Sequence, residues 1–101
     1  MVGNYLIYID KIRDYSYLNK KLIHGTYWCH MWSDSVEELH KFAEKIGLKK
    51  SWFQNKIKFP HYDLTPSKRE IALHYGAKEY SLKKWIIDQR LKNSNNQVLL
   101  S

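Results

Sequence analysis

Nine consecutive residues, His61-Tyr62-Asp63-Leu64-Thr65-Pro66-Ser67-Lys68-Arg69, hold the densest set of chemistry-bearing groups in the chain. In an extended backbone, residues two apart share a face, so His61 and Asp63 lie side by side there. Thr65 then reads as a helix cap, with Pro66 at the first helical position, where its missing N–H costs nothing. The first helical turn leaves N–H groups unpaired and carries the positive end of the helix dipole. With the hydroxyls of Thr65 and Ser67 and the cations of Lys68 and Arg69, such a turn suits a phosphate or a carboxylate. The plainer alternative is a well-capped helix whose Lys68 and Arg69 are simply solvated, since no glycine-rich loop accompanies it.

Other residues offer further chemistry, each against a structural alternative. His30 sits between Trp28 and Trp32 on one face of an aromatic segment. Two imidazoles and a carboxylate suit zinc or iron, so His30, His61 and Asp63 form a conceptual ligand set. No short metal motif such as HExxH supports it, and the sequence reading assigns no metal and no cofactor. His40, beside an apolar helical stripe, reads as a half-buried, hydrogen-bonded histidine. Cys29 would need a neighbouring base and an open thiolate to act as a nucleophile, and its aromatic surroundings read instead as a buried site. The stretch Lys49 to Lys58 interleaves cations with Trp52 and Phe53, which suits a base stacked beside a phosphate or, equally, an apolar anchor with solvated lysines.

The elements that must position these groups belong to one small domain. The chain has 101 residues, 4 Trp, 8 Tyr and a single cysteine, which excludes an internal disulfide and a multi-cysteine zinc site. The net charge is +7. Residues 1–50 carry eight basic and six acidic groups, and residues 51–101 nine and four, so the excess lies in the second half and favours an anionic partner. No apolar run approaches the roughly 20 residues of a membrane span, and the N-terminus lacks the pattern of a signal peptide, so a cytoplasmic protein without a membrane partner is expected.

Tyr5 to Asp10, Thr26 to Trp32 and Ala77 to Tyr80 read as strands, with Lys11 to Leu22 as a loop. In the second strand Tyr27, Cys29 and Met31 share one face, and Trp28, His30 and Trp32 the other. A helix capped at Asp34 or Ser35, with a stripe of Val36, Leu39, Ala43 and Ile46, ends at Gly47. A second opens at Thr65-Pro66, with Ile71, Ala72 and Tyr75 as its core face, and closes at Gly76. A third, capped by Ser81, runs from Leu82 to Lys92 with Leu82, Trp85, Ile86 and Gln89 inward. The alternation predicts an α/β fold: a small, partly parallel sheet of about three strands with about three packed helices. Residues 1–92 form the domain, and 93–101 a polar C-terminal tail.

Taken in order, His30, Glu38-Leu39-His40 with Phe42-Ala43, Ile46-Gly47-Leu48, Trp52-Phe53-Gln54, His61-Tyr62-Asp63, Arg69, Ala72 and Gly76-Ala77 resemble the short bacterial and phage proteins called domain of unknown function 4031. The resemblance covers roughly Tyr5 to Trp85. It implies that His30, His40, Trp52, Gln54, His61, Tyr62, Asp63 and Arg69 stand at signature positions, and it carries no mechanism. Where the family pattern has a second acidic residue after the aspartate of the first strand, this chain has Lys11, which weakens a carboxylate pair at Asp10.

The reading that follows is a module for a small phosphate-bearing, nucleotide-type ligand. Lys68 and Arg69 hold phosphate, Trp52 or Tyr62 stacks on a base, Asp63 or Gln54 reads a sugar or base edge, and His30 and His61 complete the site. A phage protein of this kind could sequester a host signalling nucleotide. The alternatives are a phosphodiester- or nucleotide-processing hydrolase using His61 and Asp63, and a basic nucleic-acid-binding domain.

Overall fold

The computed structural model describes residues 5–18 and 25–100. Its strands are β1 (Ile7–Ile9), β2 (Arg13–Asp14), β3 (Tyr27–Ser33), β4 (Tyr62–Leu64) and β5 (Lys78–Glu79), and its helices α1 (Val36–Lys45), α2 (Pro66–His74) and α3 (Leu82–Leu100). The class is mixed α/β, as the alternation predicts. The sheet has five strands rather than three. The two additions, β2 and β4, are two and three residues long. Length alone does not hide them, since β1 and β5 are no longer; β2 and β4 lie in polar stretches without the apolar run or the preceding glycine turn that marks those two. Part of the expected loop Lys11 to Leu22 is thus β2 and a 3-10 turn at Ser16–Leu18; its last residues, 19–22, lie outside the described residues.

The seven-residue β3 organises the sheet. It pairs antiparallel with β1, β2 and β4, while β1 pairs parallel with β5. Ile9 lies opposite Met31 and Arg13 opposite Trp28, so four steps along the first strand pair span three along β3. That mismatch is a bulge at Asp10–Ile12, a device that bends a strand and re-aims a side chain.

The period of two gives the sheet two different faces. Ile7, Ile9, Cys29, Met31, Tyr62 and Leu64 are buried together with Leu39, Ala43 and Ile46 of α1 and its C-terminus and with Ala72 of α2. Fully buried leucines such as Leu39 and Leu64 each contribute about 1.5–3 kcal/mol. On the opposite face Tyr8 stacks on Trp32, and Phe59 and Trp85 cover Trp32 from above, which leaves it fully buried. His30, Asp63 and His61 belong to this second, aromatic face.

The helices begin and end for local reasons. The Ser35 hydroxyl accepts the N–H of Glu38 to cap α1, and the Thr65 hydroxyl accepts that of Lys68 to cap α2. Gly47, at φ 84°, turns the chain after α1 in a conformation that β-carbon-bearing residues rarely adopt. The apolar stripes are narrower than the sequence predicts. Val36 is 38% exposed, and in α2 only Ala72 is buried, with Ile71 and Tyr75 at 37% and 48%. A helix that meets the sheet through an alanine comes close enough for its flanking side chains to splay outward. The third helix runs beyond Lys92, where the sequence reading ends it.

One polar pair lies within the core. The Tyr62 hydroxyl and His40 Nδ1 are 2.7 Å apart, with Tyr62 1% exposed. Burial, and then the charge of Lys50, hold the His40 pKa below its ordinary 6.5. A depressed pKa means that the unfolded chain takes the proton more readily, so this stability is present above pH 6.5 and is lost as pH falls through the folded value. Replacing His40 with Ala is expected to cost about 1–3 kcal/mol at pH 7.5, because the Tyr62 hydroxyl is left unpaired. Urea denaturation should show the gap between wild type and variant narrowing at pH 5; a gap that widens there would contradict the assignment.

Candidate metal centre

The pairing of β4 with β3 sets His30 directly opposite Asp63. The His30 N–H and C=O point the other way: the carbonyl accepts the N–H of Asp10 and the N–H donates to the Asp10 carboxylate. On the β4 side, His30 and Asp63 therefore form a non-hydrogen-bonded pair, the kind in which side chains approach most closely. His61, two residues before Asp63, joins them on the same face. Its backbone is held from beyond the sheet by Gln54, whose N–H and C=O exchange hydrogen bonds with those of His61 at 2.8 and 3.1 Å. One nitrogen from each histidine and one oxygen of Asp63 lie within 4.8 Å of one another.

The tautomers are fixed from behind. Nδ1 of His30 lies 3.0 Å from an Asp10 carboxylate oxygen, and Nδ1 of His61 lies 2.7 Å from the Phe59 carbonyl. Both partners only accept, so each Nδ1 carries the proton and each Nε2 of a neutral ring presents a lone pair. Nε2 of His61 faces Oδ1 of Asp63 at 3.3 Å. That oxygen is buried and has no hydrogen-bond partner in the structure. Two acceptors facing one another at this distance repel unless something positive lies between them. Even a proton on Nε2 would not be aligned with the oxygen, because the pair is close without forming a hydrogen bond. A divalent cation held by these residues would remove the conflict. Imidazoles backed by a carboxylate or a carbonyl are the usual arrangement around protein-bound metals. The Phe59 ring stacks on His61 at 4.5 Å and 17° and shields it, while Asp63 and His30 keep side-chain exposures of 24% and 19%, enough for an outside molecule to arrive.

The eight residues expected to hold a ligand separate into groups. His30, His61 and Asp63 come together. Gln54 acts through its backbone, as the support of His61. Tyr62 points to the opposite face, into the core with His40, so it offers no stacking surface to a base. Trp52 packs against the same core, with Lys49 over its ring. Lys68 Nζ donates to the Ile46 carbonyl at 3.0 Å and so closes the end of α1. Arg69 reaches the sheet from the helical side: its Nε donates to the Asp10 carbonyl at 3.0 Å and its guanidinium pairs with Glu79. The expectation that Arg69 and Lys68 hold phosphate beside His61 is thus replaced. Both cations are spent on backbone carbonyls and a carboxylate, and Arg69 serves the site by fixing the bulge that carries Asp10. Asp10, 7% exposed, joins the site as the support of His30 rather than as half of a carboxylate pair; its signal in the sequence is an acidic residue closing an otherwise apolar strand. Cys29 is fully buried on the core face, and burial first, then the charge of Asp10, pushes its pKa up to about 12.

A family model described as "Protein of unknown function (DUF4031)" matches residues 7–93. No curated protein and no solved structure matches the chain.

Two outcomes are expected from these placements. Cys29 should stay unlabelled by a thiol reagent until urea unfolds the domain; labelling of the native protein at the rate of a free peptide thiol would contradict its burial. Arg69→Met should lower the unfolding free energy by about 1.5–3 kcal/mol, the range for hydrogen bonds from a charged group. An unchanged urea midpoint would show that the brace on Asp10 carries no weight.

Proposed function

Since the chain belongs to that family, whose description assigns no activity, we propose from the site's own geometry that it is a divalent-metal-dependent hydrolase of phosphate esters, acting on nucleotide-type substrates. The observation that carries this reading is the buried, unpartnered Oδ1 of Asp63 facing the lone pair of His61 Nε2. Two histidines and one carboxylate are the ligand set of hydrolytic zinc sites that keep a position open for water or substrate. His30 and His61 would bind through Nε2 and Asp63 through Oδ1, with Asp10 and the Phe59 carbonyl orienting the rings. A bound divalent cation supplies a Lewis acid for a phosphoryl oxygen and a nucleophile from water at neutral pH. The basic character of the chain, +7 overall, favours an anionic substrate. A single buried cysteine and the lack, among the described residues, of a helix long and apolar enough to cross a membrane fit a protein working in the cytoplasm.

The same site without turnover is the binding-module reading, in which a nucleotide is held and sequestered. A nucleotide that stays intact on the metal-loaded protein would select it over hydrolysis.

Titration calorimetry with Zn²⁺ or Mn²⁺ is expected to show one site per chain, lost in His61→Ala and in Asp63→Asn. Asp10→Asn, which alters only the support of His30, should weaken the metal by about 10–100-fold. Hydrolysis of bis(p-nitrophenyl) phosphate should require the added metal and stop with a chelator. Wild-type protein that binds neither metal more tightly than Asp63→Asn does would sink the metal reading.

A further inference from the structure

An open groove of about 1330 Å³ runs from His30 past the bulge and β2 to the first turns of α3. We infer that this groove binds single-stranded nucleic acid and leads its backbone to the His30–His61–Asp63 centre. As a statement about substrate it rests on the hydrolase reading; as a statement about binding it stands apart from it.

Charge comes first. Five cations line the groove: Lys11, Arg13, Lys83, Lys84 and Arg90. Lys84 lies over the Tyr80 ring, and none of the five forms an ion pair among the described residues. Of the three acids in the lining, Asp10 holds His30 and Glu79 pairs with Arg69, whereas Asp14 accepts the N–H of Ser16 and keeps its charge. Five cations against that carboxylate leave the groove positive, with charge supplied from both the β2 side and α3. A mononucleotide would need only a few of these cations, whereas a repeating phosphate backbone uses them all. The volume also exceeds the roughly 300–1,000 Å³ of ordinary small-molecule pockets.

The aromatic groups decide between one strand and two. Tyr15 stacks on Trp28 at 4.2 Å and 15°, and it stands edge-on to His30 at 6.1 Å. Beyond it Tyr17 lies 6.1 Å from Tyr15 and is 74% exposed, which leaves a ring face open in the lining. Rings beside cations serve unpaired bases, whose flat faces are free to stack; in a duplex those faces are covered by neighbouring pairs. Of the metal centre, His30 lines the groove while His61 and Asp63 lie beyond its lining, so a strand held on the cations would reach the centre at His30.

The test is fluorescence anisotropy with a labelled oligothymidylate of about 12 nucleotides, within the range that compact single-strand sites cover, in EDTA so that no metal contributes. Wild type should bind it and should bind the matching duplex at least about tenfold more weakly. Lys83→Glu with Arg90→Glu should weaken binding at least about tenfold and flatten the dependence of log affinity on log salt by about 1.4, from about 0.7 per single-strand phosphate contact. Tyr17→Ala should weaken binding with the salt slope unchanged, and circular dichroism would confirm that each variant is folded. No binding by wild type, equal affinity for the duplex, or indifference to the charge reversals would overturn the inference, even if calorimetry showed a bound metal. Strand binding by wild type, with no metal bound in calorimetry, would leave the groove in place and remove the hydrolase reading instead.

Discussion

The contact between β3 and β4 brings His30 within reach of Asp63, and the site is built outward from that cross-strand pair. The two residues meet on the edge of β3 where the backbone of His30 is turned away, so their side chains approach at the shortest spacing a sheet allows. His61 follows from the period of two. What makes the trio chemically unusual is not proximity alone. Each ring has its Nδ1 proton drawn backward, by Asp10 in one case and by the Phe59 carbonyl in the other, and this leaves lone pairs and a carboxylate oxygen converging on one point.

That arrangement is held in place from several directions. On the aromatic face, Phe59 stacks on His61 and is itself packed against Trp32 and Trp85. From the helical face, Arg69 reaches the carbonyl of Asp10 and fixes the bulge whose side chain orients His30. Gln54 holds the backbone of His61 where β4 has not yet begun. The apolar core does the rest: Met31, Tyr62 and Leu64 are buried under α1 and α2, and a register slip of one residue would send them to the aromatic face and the ligating groups into the core. Core and centre thus specify the same register from opposite sides of one sheet.

The cations are divided between two tasks. Lys68 and Arg69, in the most chemically dense stretch of the chain, are turned to carbonyls and a carboxylate within the fold. Those left free in the groove come from segments with no motif at all: the bulge, β2 and the first turns of α3. A cation beside a helix N-terminus is a poor guide to an anion site when the end of a neighbouring helix also lies within reach of a lysine side chain.

Several features were determined locally and were legible without the fold. Ser35 and Thr65 cap helices because their hydroxyls reach an N–H three residues on, whatever the rest of the chain does. Alternation alone separates Cys29 and Met31 from His30 and Trp32, and it put His61 beside Asp63. The burial of Cys29 and the hydrogen-bonded state of His40 followed from their neighbours in sequence. Tertiary structure decided which strands pair, and with that which of these groups meet. The strands β2 and β4 lie in polar stretches that carry no strand pattern of their own, and Asp10 finds His30 twenty residues away through a bulge that exists only once β1 and β2 have both paired with β3. The sequence spacing of His30, His61 and Asp63 carries no metal motif, because their proximity comes from a ladder between distant strands, and a ladder's register is set by burying the opposite face.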